Sequence, residues 1–307
     1  MNIRPFQLER YFAQYEFDVP YLLSSSDCES LSLNELLSMA DGESMKRWNL
    51  LNLGYTESQG NPALRSEIAN LYPSITPENI MVINPEEGIF LTMHTLLEKG
   101  DEIIVTFPGY QSLYEIATSI GCQVKHWEPK YEKGWSFETE SLKQQITSNT
   151  KLLILNFPHN PTGSTLSMNQ YKEITELVKS NGITLFSDEM YRFLEHNSKD
   201  HLPSFIEDYE ESIILSGMSK SFGLAGLRIG WLITKKQSQM DEFQKLRDYI
   251  TICSSAPSEI LALMALRAKN QIIQRNLAII QHNLEVLDRF FDKYYQIFEW
   301  KRPLAGP

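Results

Sequence analysis

The clearest indication of the fold is residues 151–191, KLLILNFPHNPTGSTLSMNQYKEITELVKSNGITLFSDEMY. Two short apolar runs, residues 151–157 and 182–187, are separated by a helical pattern that ends at an Asn-Gly signal. Two similar runs are found at residues 102–107 and 212–216. Each run predicts a strand buried on both faces, which is typical of parallel sheets. Strand, helix and strand at this spacing predict a three-layer α/β/α fold with a mainly parallel, doubly wound sheet.

The pattern becomes almost wholly helical from about Gln237 to Tyr295. We predict an N-terminal arm with part of a smaller lobe in residues 1–45, a large domain in 46–265, and an interdomain helix with the start of the smaller lobe in 266–307. The chain stops at KRPLAGP, with no capped element after this turn. We therefore expect the smaller lobe to be truncated at its C-terminal side, and the sequence leaves open whether this truncation is natural.

Composition and charge argue against several classes of partner. The 307 residues include 28 Lys and Arg against 39 Asp and Glu. The resulting net charge of −11 disfavours extended electrostatic binding to nucleic acid or to an anionic membrane. No apolar run approaches the roughly 20 residues that span a bilayer, and the N-terminus lacks the apolar core of a signal peptide. Three widely spaced cysteines indicate neither a disulfide framework nor a zinc site. We expect a cytoplasmic protein without nucleic-acid or membrane partners.

Polar sequences follow the predicted strands at the point where each strand ends. Ligands of open parallel sheets collect in the crevice at the carboxyl ends of the strands. The sequences found there are Pro108-Gly109-Tyr110, Pro158-His159-Asn160-Pro161-Thr162-Gly163, Asp188-Glu189-Met190-Tyr191 and Gly217-Met218-Ser219-Lys220. We expect these four loops to converge into one site.

Three motifs, NFPHNPTG, SDEMY and GMSKSFGLAGLRIGW, occur in this order. Together they resemble the signatures of the class I/II aminotransferase family, whose members depend on pyridoxal phosphate and have the aspartate-aminotransferase fold, fold type I. The resemblance runs from near the first residue to the last. The lysine motif is very specific, whereas the other two are moderately specific by themselves. The resemblance implies an enzyme that moves an amino group between an amino acid and a 2-oxo acid.

The resemblance implies catalytic roles for Lys220, Asp188 and Tyr191. An amine on a strand-terminal loop suits covalent attachment to the cofactor aldehyde, and Lys220 would afterwards act as general base on the substrate α-proton. A carboxylate directly after a buried strand would keep the pyridine nitrogen protonated, which makes the ring an electron sink. The alternatives are a solvated loop lysine and a helix N-cap aspartate.

Three further side chains are expected beside the cofactor ring. The resemblance implies that Tyr191 and Asn160 share the phenolic oxygen, and that Tyr110 stacks on the ring. Tyr191 also follows Asp188 by three residues, which places it close to the same loop. By local pattern alone, Asn160 also suits an Asn-Pro turn, and an aromatic residue after Pro-Gly also suits the core.

The resemblance also implies that Arg228 binds the cofactor phosphate, since a guanidinium matches phosphate geometry, although a surface ion pair is the alternative. The family's glycine-containing phosphate loop corresponds here to Asn84-Pro85-Glu86-Glu87-Gly88, which is one residue short. We expect the backbone amides of Glu86 and Glu87 to face the phosphate. Where many relatives carry a serine three positions before the lysine, this chain has Gly217, and we expect Ser219 to substitute.

Tyr55 matches a family tyrosine that reaches from one subunit to the phosphate bound in the other. The resemblance therefore implies a homodimer with active sites at its interface. Local pattern indicates only that Gly54-Tyr55-Thr56 is a turn.

The family's arginine for the substrate carboxylate has no counterpart here, because the last arginine is Arg302. Two alternatives therefore stay open beside the aminotransferase interpretation. One is a lyase, decarboxylase or cyclising synthase on the same fold. The other is a non-catalytic, truncated homologue.

Overall fold

The computed structural model describes residues 2–306, in which a seven-stranded sheet lies between two layers of helices. The strands are β1 (Ile80–Ile83), β2 (Glu102–Thr106), β3 (Gln123–Trp127), β4 (Thr150–Asn156), β5 (Thr184–Asp188), β6 (Ser212–Gly217) and β7 (Gly230–Thr234). The helices are α1 (Gln7–Tyr15), α2 (Leu33–Ser38), α3 (Gly42–Asn49), α4 (Pro62–Ala69), α5 (Pro85–Leu96), α6 (Ser112–Ile120), α7 (Thr139–Gln145), α8 (Met168–Asn181), α9 (Phe205–Asp208), α10 (Gln237–Arg247), α11 (Ala256–Arg267) and α12 (Lys269–Lys293).

The sheet has the strand order β1-β7-β6-β5-β4-β2-β3. Strand β7 runs antiparallel to both neighbours, and the other pairs are parallel. The prediction of a mainly parallel, doubly wound sheet is therefore confirmed. In register, Asp188 at the end of β5 lies between Asn156 of β4 and Leu215 of β6, so the loops after these three strands meet at one edge.

Side chains of each central strand alternate between two apolar cores. On β6, Ile213 and Leu215 join the core formed with α5, α6 and α10, whereas Ile214 joins the core formed with α4, α8 and α11. Because successive residues of a strand point to opposite faces, a continuous apolar run is needed where helices cover both sides. This arrangement confirms the three-layer architecture.

The strand bounds differ from the predicted ones by one or two residues. The largest difference is at Gly182, which was predicted to begin a strand but caps α8 with φ +64°. A left-handed residue after a helix is most readily glycine, and the strand begins two residues later at Thr184. Strands β1, β3 and β7 were not predicted, and β3 lies at the sheet edge with only Trp127 of its five residues buried.

The two predicted domain boundaries fall inside helices. The boundary after residue 45 lies in α3, and Leu31 and Leu36 already pack in the larger core with α11. The boundary after residue 265 lies in α11, and the nearest break between helices is at Ala268. Apolar residues between 31 and 45 therefore pack in the same core as α11.

A third, small core joins α12 to the loops at the sheet edge. It contains Cys28, Tyr191 and Leu284 together with Met190, Leu194 and Ile280. Near the C-terminal end of the described residues, the amides of Leu304 and Ala305 both donate to the carbonyl of Gly163 at 2.9 Å. The C-terminal end of the described chain therefore contacts the loop that follows β4. Within residues 2–306, none of the helices has the length and apolarity required to cross a membrane.

Candidate active site

Asp188 ends β5 as a buried carboxyl group. Its side chain is 4% exposed, and Oδ1 accepts a hydrogen bond from the Met190 amide at 3.1 Å. Burial raises the pKa of Asp188 to about 7, although the Met190 amide and the charge of Lys220 act in the opposite direction. A carboxyl group in this environment ionises readily only when a further positive charge lies beside it.

Lys220 lies on the loop after β6, the strand next to β5. Two contacts hold the backbone of this loop in place. The Asn276 side chain donates a hydrogen bond to the Ser221 carbonyl at 2.9 Å, and Gly223, with φ +63°, packs closely against the backbone of Glu29. Lys220 Nζ lies 2.5 Å from Asp27 Oδ1. Burial lowers the pKa of Lys220, but Tyr191 and Asp27 raise it, and the net shift is upward.

The three residues predicted beside the ring lie around one edge of the sheet. Tyr191 is buried, and its hydroxyl donates to Ser26 Oγ at 3.0 Å. Asn160 lines two adjacent cavities of about 310 and 440 Å³, and Tyr110 lines the larger one. Tyr110 also packs on Phe6, with ring centroids 5.0 Å apart. Of the three, Tyr191 lies next to Lys220, whose Nζ is 5.9 Å from the centroid of its ring. Asn160 connects the cavity lined by Tyr191 with the cavity lined by Tyr110.

Arg228 meets the N-terminus of α5 at the other end of this crevice. Its Nη2 donates to Asn84 Oδ1 at 3.3 Å, and the same oxygen caps α5 by accepting from the Glu86 amide at 3.1 Å. A guanidinium and a helix N-terminus both attract phosphate. The amide of Glu87 has no acceptor within residues 2–306. Of the two predicted amides, that of Glu86 is already engaged, and only that of Glu87 is free.

The Glu86 carboxylate adds a negative group to this end of the crevice. It accepts a hydrogen bond from Ser112. Burial raises the pKa of Glu86, whereas hydrogen bonds from Ser112 and Tyr110 lower it, and the net shift is upward.

Gly217, which stands where many relatives have serine, lies against both the backbone of β7 and Pro85. A Cβ atom at Gly217 would lie 3.1 Å from Pro85 Cγ, and one at Gly230 would lie 2.8 Å from it. The atom nearest to a Cβ at Gly217 is the backbone Cα of Gly230, at 2.9 Å, so the close approach of β7 favours glycine at this position, and Pro85 adds a tight contact. Ser219 is buried two residues further on.

Tyr55 is not brought to the other predicted site residues. Its side chain is 90% exposed, in a turn beside Cys253 and Ser254, where it lines a separate cavity of about 330 Å³. Within one chain this tyrosine contacts none of the groups around Lys220.

Sequence reasoning missed Ser26 and Asp27. Both contact Lys220 Nζ, at 3.4 and 2.5 Å. The only local signal is a polar run, Ser24-Ser25-Ser26-Asp27, before the buried Cys28. Their position depends on packing against residues more than 190 positions away.

Comparison with known proteins agrees with this geometry. The family model for aminotransferase class I and II matches residues 31–301. The chain belongs to this family. It is therefore a pyridoxal-phosphate-dependent enzyme of fold type I, as its motifs predicted.

Two curated relatives and two solved structures are similar to this chain in sequence and in fold. Capreomycidine synthase from Streptomyces vinaceus is 29% identical over 90% of this chain and 69% of the relative, and a probable aspartate aminotransferase from Methanocaldococcus jannaschii is 26% identical over 89% and 73%. A PLP-dependent aminotransferase from Streptococcus suis 89-1591 is 31% identical, with a TM-score of 0.91 over all of this chain and 82% of that one. A PLP-dependent cyclase is 25% identical, with a TM-score of 0.88 over all of this chain and 80% of that one.

We predict that cofactor-free Asp188→Asn is more stable than the wild type at pH 8, by about 1 to 4 kcal/mol. The folded pKa of Asp188, about 7, lies above the ordinary value of 3.8. Between these values the unfolded carboxyl loses its proton while the folded one keeps it, so the free energy of unfolding of the wild type falls as pH rises. Asparagine keeps the acceptor for Met190 and has no such pH dependence.

Urea unfolding at pH 4 and pH 8 measures this difference, with the exposed Asp18→Asn as control. The advantage of Asp188→Asn should be small at pH 4, because this pH lies close to the ordinary carboxyl value of 3.8 and the unfolded state there gains little from losing its proton. Equal stability of Asp188→Asn and wild type at pH 8 would contradict a buried, proton-retaining carboxyl group.

Proposed function

We propose that this enzyme is an aminotransferase that moves an amino group between an amino acid and a 2-oxo acid. The observation that carries the proposal is the placement of the Lys220 amine and the buried Asp188 carboxyl at the ends of two adjacent strands. Arg228 and the N-terminus of α5 lie together at the other end of the same crevice. These groups fit a cofactor with an aldehyde, a ring nitrogen and a phosphate.

In this proposal Lys220 holds the cofactor covalently and then moves the proton of the substrate α-carbon. Pyridoxal phosphate supplies an electron sink when it is bound. Asp188 holds the proton of the ring nitrogen, and burial is consistent with this role, because a carboxylate isolated from water binds a nearby cation strongly. The loop contacts of Ser221 and Asn276 hold the lysine backbone in place.

We assign the remaining predicted residues to cofactor binding. Tyr191 and Asn160 would donate to the phenolic oxygen, and Tyr110 would cover the ring. Since the Tyr191 hydroxyl donates to Ser26 in this structure, it would exchange this partner on cofactor binding.

The phosphate would be held by Arg228, the free amide of Glu87 and the Ser219 hydroxyl. The amide of Glu86 would join them only by releasing Asn84. The Glu86 carboxyl is best tolerated in its protonated form beside a phosphate, and burial favours that form.

Cyclisation on the same fold is the second candidate function. It is favoured by similarity to capreomycidine synthase over 90% of this chain and by the 25% identity to a PLP-dependent cyclase. Product analysis separates the two: an aminated cofactor and a 2-oxo acid indicate transamination, and a cyclic product without them indicates the cyclase.

We also propose a homodimer in the cytoplasm, in which Tyr55 reaches the phosphate of the partner subunit. Support for the dimer comes from exposed apolar side chains in two neighbouring loops, which include Leu53, Tyr55, Tyr249 and Ile252. The loops are joined by a hydrogen bond from Thr56 Oγ1 to the Ser254 carbonyl at 3.1 Å. Apolar patches of this kind are typical of protein interfaces. The three free cysteines are consistent with a reducing compartment.

Adding pyridoxal phosphate to the wild type should produce the visible absorbance of a lysine-bound cofactor, and an amino acid should shift that band. Lys220→Ala should abolish the band without unfolding the protein, because the lysine supplies chemistry and no core volume. Lys245→Ala, on the exposed face of α10, is the matched control and should behave as the wild type. A band that survives in Lys220→Ala would show that another lysine holds the cofactor, and no band in the wild type would favour the non-catalytic homologue.

Sedimentation velocity should show a dimer for the wild type. Leu53→Glu should shift the population toward monomer, since it places a charge in the proposed interface. Val286→Glu changes an exposed apolar residue on α12 and serves as control. A monomeric wild type, or a dimer unaffected by Leu53→Glu, would contradict the proposed interface.

A further inference from the structure

A cavity of about 440 Å³ lies between the N-terminal helix and the loops that follow β2 and β4. Its lining includes Leu8 and Tyr11 of α1 together with Tyr110 and Asn160. In the proposed function, Tyr110 covers the cofactor ring and Asn160 contacts its phenolic oxygen. Because both residues line this cavity, it adjoins the position proposed for the cofactor.

Three contacts hold the N-terminal segment against these loops. Arg4 forms an ion pair with the buried Glu115 at 2.5 Å. The Gln7 amide donates to Gln111 Oε1 at 2.9 Å, and the Gln111 side chain donates to the Pro5 carbonyl at 3.1 Å. Residues of α1 are therefore a fixed wall of the cavity.

The cavity is neutral and rich in aromatic side chains. None of the described residues that line it is Asp, Glu, Lys, Arg or His, and four are aromatic, namely Phe6, Tyr11, Tyr110 and Tyr114. Glu9 Oε1 lies 3.5 Å from the Tyr110 hydroxyl but is not part of the lining. A charged side chain that entered this cavity would lose water without gaining an opposite charge. An aromatic or large apolar side chain would instead pack against rings.

A second cavity, of about 310 Å³, shares Asn160 and Pro161 with the first. Its lining includes the hydroxyl groups of Ser26 and Tyr191, and Ser26 Oγ lies 3.4 Å from Lys220 Nζ. The amine of a substrate has to reach the cofactor atom that Lys220 holds, so the amine and the neighbouring carboxylate suit this polar cavity. The aromatic cavity beyond Asn160 is then left for the side chain on the same α-carbon.

We propose that the larger cavity binds the substrate side chain, and that the enzyme prefers amino acids whose side chain is aromatic or large and apolar. Leu8 and Tyr11 are then specificity-determining residues, because they line the cavity from α1 and not from the loops around the cofactor. This inference rests on the proposed function, since it names the substrate class of the same site.

The test is an equilibrium titration of the cofactor-loaded protein, followed by the visible spectrum, with α-methyl-L-phenylalanine, 2-aminoisobutyrate and α-methyl-L-aspartate. These compounds lack the α-proton, so the titration measures binding without transamination. The wild type should bind α-methyl-L-phenylalanine at least about tenfold more tightly than 2-aminoisobutyrate, which has only methyl groups. It should bind α-methyl-L-aspartate most weakly.

Two variants should change this preference in different ways. Tyr11→Ala removes one ring from the wall and should lower the ratio of the affinities for α-methyl-L-phenylalanine and 2-aminoisobutyrate by about threefold or more. Leu8→Arg adds a cation and should raise the affinity for α-methyl-L-aspartate relative to 2-aminoisobutyrate by about threefold or more. Both positions are partly exposed, so the fold should tolerate the changes. Tyr295→Ala, at a 70% exposed tyrosine beyond α12, is the matched control and should keep the wild-type ranking.

The outcomes separate this inference from the proposed function. A wild type that binds the three compounds equally, or that binds α-methyl-L-aspartate most tightly, overturns the inference, as do wild-type affinity ratios in both variants. If the variants fail to fold, the ranking by the wild type still decides. Cofactor absorbance in the wild type without this ranking leaves the proposed function intact, whereas no absorbance in any of the proteins overturns both.

Discussion

The site depends on the burial of one carboxyl group, Asp188, next to a positively charged amine. A carboxyl group at the end of a buried strand is costly to ionise, which is why its pKa is raised to about 7. The Lys220 charge offsets part of this cost, and a protonated ring nitrogen beside Asp188 would offset more. The parallel strands β5 and β6 make the juxtaposition possible, because their carboxyl ends share an edge.

The phosphate end shows how a change of sequence is accommodated by packing. Pro85 removes an amide from the first turn of α5, but it packs on Gly217 and Gly230, where larger residues would collide. Arg228, the free amide of Glu87 and the buried Ser219 are left to bind the phosphate in our proposal.

The sheet and the loops after its strands could be predicted from the sequence because their signals are local. Continuous apolar runs identify strands covered on both faces, and the loop motifs follow them directly. Asp27 and Ser26 could not be predicted in this way, since only tertiary packing brings them to Lys220. The engaged amide of Glu86 was also missed, because the Asn84 cap competes for it. The packing of apolar residues between 31 and 45 in the same core as α11 likewise depends on long-range contacts.

Borohydride reduction of the cofactor-loaded protein, followed by peptide mapping, tests the account most directly. Reduction fixes the cofactor to the amine that holds it, and the account predicts a single modified peptide in which Lys220 carries the pyridoxyl group. Modification of a different lysine, in a protein whose Lys220 peptide stays unlabelled, would contradict the placement of the reacting amine opposite Asp188.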